Sequence, residues 1–157
     1  AYKPHQCTLV PDSPSALTSD QGWDTLKESS FLTEITARLK EQGIRVSIFL
    51  DASPRMVEGA ASIGADRVEF YTGPFAAQYR TDPRAAIAGH IAAAQEASQL
   101  NVGVNAGHDL NLDNLRFYAS MIPNLLEVSI GHALVCDALY YGLSNVIGMY
   151  QHQLRSI

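Results

Sequence analysis

The sequence predicts an α/β fold built on a parallel β-sheet, and three observations carry that expectation. Short runs rich in Val, Ile, Phe or Leu recur along the chain, bounded by Gly, Pro, Asp or Ser. Stretches with helical spacing of apolar residues separate them. Two consecutive runs each close on a Gly-His pair, in Val104-Asn105-Ala106-Gly107-His108-Asp109 and in Val128-Ser129-Ile130-Gly131-His132-Ala133. Strands that alternate with helices pair in parallel, and the carboxyl ends of such strands are where sites are built.

Five strand-helix units follow in order. The first strand is expected over 5–10. It runs into a loop over 11–23, whose two prolines and small polar residues mark a ligand loop or lid at a strand's carboxyl end. A helix is expected over 25–40, with Phe31, Leu32, Ile35 and Leu39 on one face and Gly43 just past its end. The second strand, 45–50, leads to Ser53-Pro54, an N-cap followed by proline at the first helical position; that helix stops near Gly64. The third strand is 67–71. Asp82-Pro83 repeats the cap signal and opens an alanine-rich helix to about Gln99. A fourth strand over 101–105, a short helix over 113–121 ended by Pro123, and a fifth strand over 126–130 complete the sheet. The remainder, 133–153, reads as one helix or as two broken around Gly142. With no linker or low-complexity stretch, residues 1–157 read as a single domain. Periodicity leaves two architectures open: a doubly wound flavodoxin-like sheet, or five-eighths of a (β/α)8 barrel, whose usual length is about 250 residues.

The chain of 157 residues is long enough for one domain with a real core. Its 46% hydrophobic content and mean hydropathy of −0.03 place it among globular rather than disordered sequences. No apolar run approaches the roughly 20 residues that span a bilayer, and no signal-peptide pattern opens the chain. Two cysteines, Cys7 and Cys136, make no disulfide framework, which points to a reducing compartment and a cytoplasmic location. A net charge of −5 without a Lys/Arg cluster disfavours nucleic acid as a partner. It leaves open local phosphate binding through backbone N–H groups and helix N-termini. Without CxxC, HxxxH or HExxH spacing no metal site is expected. The lack of GxGxxG and P-loop patterns argues against dinucleotides and nucleoside triphosphates, and less strongly against FMN.

Glu69 lies inside the third strand, in Arg67-Val68-Glu69-Phe70-Tyr71-Thr72-Gly73, with Val68 and Phe70 facing the other way. Both faces of a parallel sheet are buried, so a mid-strand carboxylate needs a partner such as an Arg, or a role in a site. His108 follows a glycine at a strand end, either as a structural histidine or as a general acid or base in the neutral range. His132 opens a helix, where its N–H and that of Gly131 suit a phosphate better than its ring suits proton transfer. Asp51 ends the second strand just before a helix start, and is either catalytic or a capping or loop-ordering residue. Thr18, in the long first loop, reads alone as a turn hydroxyl. His5, His90 and His152 have no matching spacing, and Trp23 and the tail tyrosines read as packing residues.

The chain resembles the pyridoxine 5′-phosphate synthase family, the last enzyme of the deoxyxylulose-dependent vitamin B6 route. The resemblance rests on Lys3-Pro4-His5 through Cys7-Thr8-Leu9-Val10-Pro11; on Leu17-Thr18-Ser19-Asp20 with Gly22; on Val46 through Asp51; on Val68 through Gly73; on Val104 through His108; and on Ile130 through Ala133. These segments run from end to end in the family's order. That family is a (β/α)8 barrel, and the resemblance makes this chain its strands four to eight. The family's amino-terminal Asn and Asp-His positions, its phosphate-binding Arg and His, and a further catalytic His and Glu have no counterpart here. The implied reaction condenses 1-deoxy-D-xylulose 5-phosphate with 3-amino-2-oxopropyl phosphate to give pyridoxine 5′-phosphate, phosphate and water, with no cofactor. His108 matches the family's proton donor, and Glu69 the carboxylate that stabilises ring-forming transition states. Thr18 matches a position contacting the deoxyxylulose phosphate; Gly131 and His132 match positions binding the aminoacetone-type phosphate. Asp109 stands where the family often has Gly: a backbone N–H contact is open to it, but its carboxylate has to point away from a phosphate. The family's assembly implies a homo-oligomer, usually an octamer. Two other readings use the same residues, a non-catalytic phosphate-ligand-binding module and an FMN-binding flavodoxin-like domain. Five barrel strands on their own leave two open sheet edges, so weak turnover and poor solubility are expected of residues 1–157 alone.

Overall fold

The computed structural model describes residues 3–13 and 15–155. Pro14 of the first loop and the ends of the expected 1–157 domain lie outside the described residues. Five strands, β1 (Gln6–Leu9), β2 (Arg45–Asp51), β3 (Arg67–Tyr71), β4 (Gly103–Gly107) and β5 (Leu125–Ser129), form one parallel sheet in the order β1-β2-β3-β4-β5. Each strand pairs with its sequence neighbours. Crossovers between parallel strands are right-handed, so an unbroken sequential order puts the connecting helices on one face. This is how a barrel wall is wound. It removes the flavodoxin-like alternative, in which the strand order must reverse at a switch point.

The helices are α1 (Ser29–Glu41), α2 (Pro54–Ile63), α3 (Gly73–Tyr79), α4 (Pro83–Gln99), α5 (Leu115–Met121), α6 (His132–Tyr141) and α7 (Leu143–Arg155). The core lies between them and the outer face of the sheet. Ile48 and Leu50 of β2, Val68 and Phe70 of β3, and Val104 and Ala106 of β4 pack there with Leu32, Val57, Ile87, Leu115, Tyr118 and Val146. Burial of these side chains supplies the main stabilisation, about 1.5–3 kcal/mol for each large one. The inner face is polar by contrast. Arg67 Nη1 lies 2.7 Å from Glu127 Oε1 and donates to Asn105 Oδ1 at 3.1 Å, and Asn105 Nδ2 donates to Glu127 Oε2 at 3.2 Å. That triad ties β3, β4 and β5 together across the inner face.

Several boundaries differ from the sequence-based expectation, each for a local reason. α1 starts at Ser29 rather than at 25, because Asp24 Oδ1 accepts the N–H groups of Leu26 and Lys27 and closes a separate turn. Buried Thr25 is drawn away from the helix to donate to the Met56 carbonyl at 2.8 Å. The buried side of α1 carries Leu32 and Thr36, whereas Phe31 is half-exposed against Trp23. Ser53 and Asp82 both stand in the expected cap positions, but only the Asp82 carboxylate makes the cap bonds, from the N–H groups of Arg84 and Ala85. β4 begins two positions later than expected: Leu100 and Asn101 finish the end of α4, with Asn101 at φ 57° and Val102 N–H donating to the Ala97 carbonyl. α3 has no counterpart in the sequence-based expectation, which holds no element between the third strand and the helix opened by Asp82-Pro83. The tail is two helices, broken at Gly142 with φ 79°.

Candidate active site

Thr18, Glu69, His108, Asp109, Gly131 and His132 all line one open cleft of about 980 Å³ at the carboxyl ends of the strands. Leu17, Asn111, Ser129, Ile130 and Ala133 complete its wall. β3 supplies Glu69 from its middle, the β4–α5 loop supplies His108 and Asp109, and the β5–α6 junction supplies Gly131 and His132.

Glu69 is partly buried on the inner face, where Thr8 Oγ1 donates to its Oε2 at 3.3 Å. Desolvation dominates its titration and holds its carboxyl above the usual carboxylate range; the Thr8 bond and the nearby His108 oppose that rise, and Glu127 adds to it. Gly107 makes this placement possible, because a Cβ there would meet Glu69 Oε1 at 2.7 Å and the Ser129 carbonyl at 2.8 Å. His108, the next residue, takes φ 93°, a left-handed conformation costly for a residue with a side chain. Its ring lies beside those of Phe49 and Tyr71, with centroids 6.0 and 6.1 Å away. Burial and the carboxylates of Asp109, Asp20 and Asp51 push the Tyr71 phenol up.

The loop that carries His108 is tightly fastened. His108 N–H donates to the Ser129 carbonyl at 3.1 Å. Thr72 Oγ1 donates to the Gly107 carbonyl and accepts the Asp109 N–H at 3.0 Å. Asn114 Nδ2 donates to the Asp109 carbonyl at 3.2 Å. The Asp109 N–H, expected to be open to a substrate phosphate, is therefore committed to Thr72. Its side chain borders the cleft instead, with Oδ2 3.7 Å from His108 Nδ1 and otherwise without a hydrogen-bond partner among the described residues.

Gly131 and His132 form the N-terminus of α6, whose first N–H groups have no intrahelical acceptor. Nothing lies within 4 Å of where a Cβ of Gly131 would be, so the helix end is open to the cleft. Thr18 reaches the cleft on the first loop, whose far end is pinned to β2. Gly22 N–H donates to Asp51 Oδ1 at 3.4 Å, and Trp23 N–H donates to the Phe49 carbonyl at 2.9 Å. Asp51 does not line the cleft and orders this loop, one of the two roles open to it in the sequence. His90 is buried in the outer core, away from the cleft. Thr72 and Asn114 were missed by sequence reasoning, because each works through backbone partners that only the fold brings near. Among the described residues, no group of three or more His, Cys, Asp or Glu is placed to hold a metal ion. Likewise, no helix among them is long and apolar enough to cross a membrane.

A sequentially wound parallel sheet with a polar cleft at its strands' carboxyl ends defines the barrel class of α/β proteins. Residues 1–156 match the family model described as pyridoxal phosphate biosynthesis protein PdxJ. The chain belongs to that family, and its sheet is part of a (β/α)8 barrel. It is similar to the pyridoxine 5′-phosphate synthase of Cytophaga hutchinsonii, 56% identical over 153 residues that cover 98% of this chain. Proteins of the same name from Bacteroides thetaiotaomicron and Flavobacterium johnsoniae are 53% and 50% identical over 98% of this chain. The chain spans 64% of the length of the Cytophaga relative and 65% of the other two.

Proposed function

We propose that the full-length protein is a pyridoxine 5′-phosphate synthase, condensing 1-deoxy-D-xylulose 5-phosphate with 3-amino-2-oxopropyl phosphate to give pyridoxine 5′-phosphate, phosphate and water. The observation that carries this reading is the convergence of six residues from four separate segments on one cleft, in a chain 56% identical to a relative of that name. Imine formation, dehydration and ring closure require protons to move in several directions. In this reading His108, on the wall of the cleft, gives and takes them. Glu69, partly desolvated one strand away, stabilises the positive charge that develops as the ring closes. Gly131 and His132 hold one substrate phosphate at the α6 N-terminus, and Thr18 approaches the other substrate from the first loop. Asp109 borders the phosphate site through its side chain beside His108. The chain's residues form part of a single barrel domain, and the full-length protein assembles as a homo-oligomer in the cytoplasm; unpaired Cys7 and Cys136 support that location.

A turnover assay on the full-length protein tests this. Pyridoxine 5′-phosphate formation from the two substrates is followed by absorbance, with His108→Ala alongside. The expected outcome is product whose rate falls by about 100-fold or more in the variant, the usual scale for losing a general acid-base group. A folded, full-length protein that makes no product refutes the enzyme and leaves a phosphate-ligand-binding relative.

A further inference from the structure

We propose that Thr72 is a positioning residue for His108, setting the imidazole relative to Glu69. The inference rests on the reading of His108 as the proton-transfer group. Two peptide groups flank His108 and define its backbone conformation: the Gly107–His108 peptide and the His108–Asp109 peptide. The Thr72 hydroxyl bonds both, donating to the Gly107 carbonyl and accepting the Asp109 N–H at 3.0 Å. The first of these peptides is also held from the other side, where His108 N–H donates to the Ser129 carbonyl at 3.1 Å. Between these anchors His108 keeps φ 93°, a conformation that persists in a residue with a side chain only where the surroundings over-determine it.

Thr72 is itself fully buried, so water does not compete for its hydroxyl. It caps the same β3 strand that carries Glu69, three residues further along the chain. One rigid side chain thus fixes the strand bearing the carboxylate to the loop bearing the imidazole. Removing the hydroxyl while keeping the shape frees the His108–Asp109 peptide to relax toward negative φ, and the ring turns away from its position beside Phe49 and Tyr71.

The test compares Thr72→Val, which is nearly isosteric and lacks the hydroxyl, with Thr72→Ser, which keeps it, both in the full-length protein. In Thr72→Val the expected kcat falls about 100-fold, the scale of an ångström-level misplacement of a reacting group. KM moves less than about threefold, and Thr72→Ser recovers kcat to within about threefold of the unsubstituted protein. A Thr72→Val protein with kcat within about threefold of the unsubstituted one overturns the proposal, as does a loss that serine fails to restore. A second measurement needs no variant. The Asp109 amide should exchange slowly with solvent in the unsubstituted protein, and exchange as fast as an exposed loop overturns the clamp even where Thr72→Val does not fold. Full-length protein without turnover refutes the enzyme reading instead. The His108 imidazole NMR signals then decide for Thr72: moved by Val and restored by Ser in support, unmoved by Val against.

Discussion

Glu69 shows how a single residue trades stability for chemistry. Burial disfavours its ionised form, so the folded protein holds this proton to higher pH than the unfolded chain does. The group's contribution to stability is intact below the ordinary carboxylate range and is lost as pH rises through the raised folded value. Glu69→Gln removes that dependence while keeping size and shape. Its thermal midpoint is expected above that of the unsubstituted protein at about pH 8, the gap closing as pH falls to about 4. Turnover in the same variant is expected to fall sharply. A midpoint gap that stays constant with pH contradicts the burial argument. This residue was legible in the sequence because a carboxylate among Val, Phe and Tyr in a strand is chemically out of place. The two Gly-His pairs were legible because repetition after adjacent strands is itself a signal. Thr72 was not, since its hydroxyl acts on a carbonyl 35 positions away.

At the scale of elements, apolar runs, helical spacing and the Ser53-Pro54 and Asp82-Pro83 caps announced five strands and five or six helices, and tertiary contacts then adjusted the ends. β4 is the instructive case. Its carboxyl half, Asn105-Ala106-Gly107, is poor strand sequence by propensity, yet it pairs with β3 and β5 because Gly107 leaves room for the Glu69 carboxylate. α4 and α5 meet through a buried pair, His90 Nδ1 2.9 Å from the Tyr118 hydroxyl, ringed by Phe70 and Phe75. Desolvation holds His90 down to about 4 and pushes the Tyr118 phenol up. The unfolded chain protonates a histidine near about 6.5, so this pair's stabilisation is complete above that pH and is lost as pH falls through the depressed value. The urea midpoint is expected to drop between about pH 6.5 and 4, and to drop less in the double variant His90→Phe with Tyr118→Phe. Tyr118→Phe alone strips His90 of its partner and is expected to cost about 1–3 kcal/mol at neutral pH. An equal acid response in the double variant and the unsubstituted protein assigns the transition to other groups.

For the molecule as a whole, the inner face of the sheet and the outer side of α6 set the behaviour. α6 contains no fully buried residue among those described, and Val135, Leu139, Tyr140 and Tyr141 on it are exposed along with Leu143 and Ile147 of α7. Apolar surface on this scale associates in water, and β1 and β5 each present an edge to a further strand. Residues 1–157 produced alone are therefore expected to sediment as heterogeneous associates, and a monodisperse monomer in analytical ultracentrifugation counts against this. The direction in which the sheet is wound has another consequence. Cys7 pairs with Val46, Ile48 with Val68, and Val68 with Val104, so each strand from β2 to β5 has a partner already synthesised. A ribosome delivering these residues releases each unit beside the edge it needs, so this arc of the wall can lengthen in step with translation, and only the pairing that closes the barrel joins strands far apart in sequence.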